Sequence, residues 1–381
     1  SVTGWTLVGN GIYSAPSTAK STLNIVTVNG VNTPMGRFPK KDWLTFESFA
    51  GRTSITDNQL TSTPNWTGAE VVIRKSNWTI DRSKITNHSG TIISYTSGSS
   101  WDVTSSGSYN YFIQNHIGTL TQLGDWFCDG TKLNMFFGSN NPSAYSVKVS
   151  VVDKLVDASS RAYLVFDNIK FEGANVKGIV TSLSMNISVK NCDFSMMGDN
   201  AIHSVASQNT LIENSNFDNC NGSSIYLNAA NSKIRNNFVS NGGLIPGMGN
   251  VNGDTYNGIV FYGAGSICEY NTVKNVGYNG IMFYSNNSEV RYNLVDGFCV
   301  FLTDGGGIYT YYGGDVNFIQ TGMKMYNNVV INGGGNGLYS DGITNNLEIF
   351  NNTVAHVGKW GIHMNEPRNN KVHDNVLYNC T

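Results

Sequence analysis

Charge is scarce in this chain of 381 residues. Only 13% of positions are Asp, Glu, Lys or Arg, and the 24 basic and 26 acidic side chains nearly cancel. That balance gives no electrostatic basis for binding nucleic acid or an anionic membrane surface. Cysteine is sparse too: the six form no Cys-x-x-Cys pair and no metal-ligand spacing, which removes the usual zinc and redox arrangements. Cys268 and Cys192 fit small core positions, while a disulfide among Cys128, Cys220, Cys299 and Cys380 stays open. No apolar run is long enough to span a bilayer and no signal peptide is recognised, so a start at Ser1 is read as a processed or trimmed N-terminus. Phosphate loops, zinc-binding helices and a Ser-His-Asp order are missing as well.

What the chain does have is one short phrase, repeated. Between Lys233 and Asn375 it recurs as IRNNFV, CEYNTV, VRYNLV, MYNNVV, IFNNTV and VHDNVL, with Asn237, Asn271, Asn293, Asn328, Asn352 and Asn375 in one column. Upstream, Ser215, Cys192 and Ile169 occupy the same column. Successive steps are 23, 23, 22, 34, 22, 35, 24 and 23 residues, a solenoid period with two lengthened turns. A second column, in phase with the first, places an aliphatic residue after a small, polar or aromatic pair at Ile202, Ile225, Ile259, Ile281, Ile308, Leu338 and Ile362.

The repeated segments alternate apolar and polar residues over four to six positions and are rich in Val, Ile, Tyr and Phe, with Gly and Asn at the bends. This is the pattern of short strands, and such dense Gly-Asn punctuation would break helices. The predicted fold is therefore all-β, a right-handed parallel β-helix with a small β-sandwich-like insertion near the N-terminus. The recurrent asparagine is a bend residue bonding its counterpart one rung away, an Asn ladder, and not a catalyst. Residues 1–31 read as strands leading into the β-helix, 32–150 as the inserted domain and 151–381 as coils. The chain stops partway through a coil at LYNCT, so either a continuation of the chain or a second subunit in a homo-oligomer is expected to cover the last rung.

Lengthened turns locate the chemistry. GLIPGMGNVNGDT precedes Ile259, while FCVFLTDGGG and YTYYGGDVNFIQTG flank Ile308. Insertions at matching phase build walls along one side of a solenoid. If the aliphatic column points inward, the residues one and three later point outward. One outward column then reads His203, Tyr226, Val260, Met282, Tyr309, Tyr339, His363. The other reads Val205, Asn228, Tyr262, Tyr284, Tyr311, Asp341, Asn365. Three successive tyrosines followed by an aspartate suit a groove on which sugar rings stack. His203 and His363 lie too many rungs apart to share a metal.

Asp199, Asp254, Asp304, Asp341 and Glu366 are the acids near this face. Asp304 opens DGGGIYT and Asp341 lies one coil on, so with rungs about 4.8 Å apart the two fall within the separation that glycosidase carboxylate pairs use. Asp304, Asp341 and Glu366 are the catalytic candidates. Tyr262, Tyr284, Tyr309, Tyr311, Tyr339, His363 and Asp254 are the candidates for binding substrate, with no metal site.

The order VNGVNTPMGRFPKKDWLTF, then GTLTQLGDWFCDGTKLNMFF, then rungs containing DGGGIYT, resembles carbohydrate-active right-handed β-helix proteins, among them β-xylosidase-like glycoside hydrolases with an inserted β-sandwich. The resemblance implies a secreted hydrolase, extracellular, cell-surface or periplasmic, that cleaves a polysaccharide or oligosaccharide with paired carboxylates and no cofactor. It also implies a glutamate shortly after the Asp-bearing rung, and MKMYNNVV has none. Two alternatives stand beside it. One is a polysaccharide lyase or epimerase, which needs positive charge or Ca²⁺ against a uronate carboxylate; the outward columns carry no Lys or Arg. The other is a non-catalytic carbohydrate-binding or surface protein.

Overall fold

The structure is a computed structural model and describes residues 1–18, 23–103, 110–249 and 255–381. The chain divides into two compact units, Ser1–Val151 with Ile245–Gly253, and Val152–Leu244 with Asp254–Thr381.

The first unit is built of antiparallel strands in three sheets. Thr6–Gly9 and Ile12–Pro16 join Lys132–Phe136 and Trp126–Cys128 in one of them, and Val26–Val28 pairs with Val147–Val149 in another. Within residues 1–31, Thr6–Gly9 pairs with its neighbour Ile12–Pro16, while Ile12–Pro16 and Val26–Val28 also find partners more than a hundred residues downstream. One apolar core gathers Trp66, Ile73, Ile93 and Tyr111, and a second gathers Trp126, Met135 and Phe137. Residues 245–249 of the first lengthened turn belong here: Met248 lies in the second core, and Gly247 O accepts a 3.1 Å bond from Gln114 Nε2. Asp254, an expected substrate contact, lies outside the described residues.

The second unit is a right-handed parallel β-helix of three sheets, each with nine strands. The first sheet runs through Lys177–Ser182, Ile202–Gln208, Ile225–Ala230, Ile259–Phe261, Ile281–Phe283, Gly306–Tyr312, Asn336–Gly342 and Ile362–Met364, after Lys154–Asp157. Its aliphatic column points into the core: Ile225, Ile259, Ile281, Ile308 and Leu338 are fully buried, each in register with the next. Phe171, Phe194 and Phe217 stack inside the third sheet at 4.7 and 4.9 Å.

The bends explain the asparagines. The residue before each ladder asparagine is left-handed, from Asn236 at φ 54° to Asp374 at φ 52°, and this conformation is costly for side chains other than Gly, Asn and Asp. Tyr270 and Tyr292 accept that cost. What fixes the bend is a continuous line of amides: Nδ2 of Asn237, Asn271, Asn293, Asn328 and Asn352 each donates to Oδ1 of the next, at 2.9–3.0 Å. The same Nδ2 groups also donate to inward carbonyls such as Ile234 O and Cys268 O. Every buried polar atom of the bend is thereby matched, which a low-dielectric interior requires. Ser215 and Cys192 extend the line, Ser215 N donating to Asn237 Oδ1 and Cys192 N to Ser215 Oγ, both at 3.0 Å.

All six cysteines are free, so the disulfide left open among Cys128, Cys220, Cys299 and Cys380 does not form. Cys268 sits fully buried between its register partners Ile234 and Val290. Among the described residues, no helix is long and apolar enough to cross a membrane.

Candidate active site

The acids come together at the second lengthened turn. Asp304 lies just before the strand Gly306–Tyr312 and Asp341 near the end of Asn336–Gly342. Between them lie the side chains of Tyr309 and Tyr339, register partners on those two strands, whose rings meet edge to face at 5.2 Å. Glycine makes the entry to the first strand: a Cβ on Gly305 would fall 2.5 Å from the Tyr278 ring. Only a bare backbone lets Asp304 approach Tyr278, whose hydroxyl donates to Asp304 O.

Two tyrosines link the carboxylates crosswise. The Tyr339 hydroxyl reaches back one rung to within 3.5 Å of Asp304 Oδ1, and the Tyr309 hydroxyl reaches forward to donate to Asp341 Oδ2 at 2.7 Å. Asp341 accepts two further bonds, from Gly342 N at 2.7 Å and Asn365 Nδ2 at 2.9 Å.

Burial, and then the charge of Asp341, push the Asp304 carboxyl above its ordinary range, while Lys359, Tyr339 and His363 pull the other way. Burial, and then neighbouring groups that include Asp341, push the hydroxyls of Tyr309 and Tyr339 upward, so both stay neutral donors. The ring of His363 sits edge-on to Tyr339 at 4.5 Å and stacks on Trp360 at 4.2 Å; burial keeps it below its usual range despite both aspartates.

Tyr309 and Tyr339 are only 7% and 4% exposed, so of the expected substrate contacts these two are covered, with their hydroxyls turned to the carboxylates. The tyrosine platform is also arranged differently from the expected column. Tyr284 stacks on Tyr312 at 5.4 Å and 8°, not on Tyr311, because the strand Ile281–Phe283 ends before Tyr284 and alternation lapses there. Tyr311 is 48% exposed and is the register partner of Asp341. Tyr262 meets Tyr226 edge-on at 5.9 Å, and its hydroxyl lies 3.4 Å from Met282 Sδ. Glu366 is exposed on a left-handed bend, φ 50°, and is not among the groups acting on Asp304. Far along the same sheet, His203 stacks on Tyr226 at 5.0 Å and stays neutral: burial, then Lys177 and Lys154, push it down to about 4.

The pattern reading missed three neighbours, Tyr278, Lys359 and Trp360. All precede the aliphatic residue of their rung and so fall outside the outward columns. A tryptophan in the Trp-Gly-Ile of a column otherwise held by Asn, Ser or Gly was the available signal.

This fold and paired-acid face define the chain as a right-handed parallel β-helix protein. Residues 137–293 and 177–344 match the family model described as right handed beta helix region, and the chain belongs to that family. No curated protein sequence matches it. Among solved structures it is similar to one titled "Glycoside hydrolase", with 13% identity and a TM-score of 0.73 over 98% of this chain and 81% of that one. It is also similar to the periplasmic alginate epimerase AlgG, with 16% identity and a TM-score of 0.42 over 55% and 49% of the two chains. It is also similar to XylC in complex with xylose, with 10% identity and a TM-score of 0.41 over 99% and 74% of the two chains. The likeness to the first of these shows the fold alone.

Proposed function

We propose that this protein is a glycoside hydrolase acting on a polysaccharide or oligosaccharide outside the cytoplasm, with Asp304 as general acid and Asp341 as nucleophile or general base. The observation that carries this reading is the pair of carboxylates on adjacent rungs joined crosswise by Tyr339 and Tyr309, with the Asp304 carboxyl raised by burial. Asp304, raised by burial and by Asp341, keeps a proton to give to the leaving glycosidic oxygen. Asp341, held by three donors, presents an oriented carboxylate to the anomeric carbon or to a water beside it. If Asp341 attacks directly, the C–O bond to the leaving group breaks as the glycosyl-carboxylate bond forms. Asp304, now ionised, then takes a proton from the water that releases the sugar.

Elimination is the second reading, supported by Lys359, whose positive charge acts on Asp304 and could offset a uronate carboxylate. Against it, Tyr309 and Tyr339 are pushed away from ionisation and so are poor bases for the abstraction. Product masses separate the two, with water gained on hydrolysis and an unsaturated sugar on elimination. Loss of cleavage in both Asp304→Asn and Asp341→Asn supports the assignment, and full activity in either removes that residue from it.

A further inference from the structure

Trp360 occupies a position that is polar or glycine on the preceding rungs, held by Asn200, Ser223, Asn257, Asn279, Gly306 and Asn336. On those rungs the position serves the backbone: Asn279 Nδ2 donates to Asn257 Oδ1 at 2.9 Å, and Asn257 Nδ2 to Ser223 Oγ at 3.3 Å. An indole cannot continue such a line. One of its faces stacks on His363, with ring centroids 4.2 Å apart and planes within 10°, yet 55% of the side chain remains accessible. The accessible part is an aromatic surface linked through His363 and Tyr339 to Asp304. Hydrophobic burial does not explain it, since the residue stays half in water. A flat ring offered beside a catalytic pair is what the apolar face of a sugar ring stacks on.

Lys359 adds charge to that surface. Among the described residues it makes no ion pair, while its charge acts on both Asp304 and His363. An acidic sugar gains more from an ammonium there than a neutral one does, because the carboxylate of the acid pair would otherwise repel its own at close range.

We propose that Trp360 and Lys359 form the subsite beside the acid pair, and that it takes a sugar ring bearing a carboxylate, a uronic acid residue, with the ring on the indole and the carboxylate directed to the ammonium. The inference rests on the hydrolase reading and narrows its substrate class.

The test is binding to the full chain carrying Asp304→Asn, so that cleavage does not interfere. The probes are short oligomers of galacturonate, glucuronate and mannuronate, each beside its methyl ester, which keeps the ring and removes the charge. The expected result is at least one acid oligomer bound about tenfold more tightly than its ester. Adding Lys359→Met brings acid and ester level, while Trp360→Ala weakens both about tenfold and Trp360→Phe largely restores them. No preference for any acid over its ester overturns the proposal. So does a preference that survives Lys359→Met, or affinity unchanged in Trp360→Ala. Cleavage by the unsubstituted protein is followed in parallel: an acid preference without hydrolysis sinks the hydrolase reading and keeps the subsite, whereas hydrolysis without the preference does the reverse.

Discussion

Tyr339 reaches back one rung to Asp304, placing its hydroxyl 3.5 Å from Oδ1, while Tyr309 reaches forward one rung to donate to Asp341 Oδ2 at 2.7 Å. Two phenols thus tie together two acids that belong to different coils and are separated by a long turn. Tyr339 also lowers the Asp304 carboxyl from where burial alone would hold it.

Removing that hydroxyl has a signed consequence. A general acid works only while protonated, so the alkaline limb of the activity profile follows the raised Asp304 value. Tyr339→Phe deletes a bond that favours the ionised form, so the limb moves to higher pH. Rate against pH for the two proteins checks this, and an unmoved limb contradicts it.

Asp304 also carries a cost in stability. Its folded value is raised, so its favourable contribution is complete below the ordinary carboxylate range and is lost as pH rises through the raised value. Asp304→Asn should therefore lower turnover by about 10²–10⁴-fold while raising the thermal midpoint at neutral pH, with little change in acid. Melting curves at two pH values, read beside turnover, test both halves.

The asparagine ladder bears on stability alone. Asn293→Ala leaves Asn271 Nδ2 and Asn271 N without their acceptor in a buried bend. The expected loss is about 2–4 kcal/mol, seen as a lower denaturation midpoint at an unchanged slope. The same change should leave the turnover of the remaining folded protein intact.

For the aromatic platform, Tyr311→Ala removes an exposed ring beside Asp341 and should raise KM severalfold with kcat nearly unchanged. Tyr312→Ala strips the partner from Tyr284 and should raise KM as well, since a lone ring is held less firmly. Titration with a bound oligosaccharide gives both values.

The ladder and the inward column were legible because one residue at a fixed pitch leaves a periodic trace, and Asp341 fell where column counting placed it, opposite Tyr311. Tyr312 replaced Tyr311 as the partner of Tyr284 because strands in one sheet differ in length, three residues for Ile281–Phe283 against seven for Gly306–Tyr312. Periodicity carries no record of where a strand stops. Lys359 and Trp360 escaped for a related reason, standing in the bend before the strand, outside the columns that alternation defines. The pairing of residues 12–16 with 132–136 was invisible because antiparallel partners distant in sequence leave no common phase.

The most direct measurement is mass spectrometry of the products formed in ¹⁸O-labelled water from neutral and uronate-containing polysaccharides. The account predicts saturated fragments with one labelled oxygen at the new reducing end, absent when Asp304 or Asp341 is replaced by asparagine. Unsaturated fragments without the label, or no fragments from any of them, would contradict it.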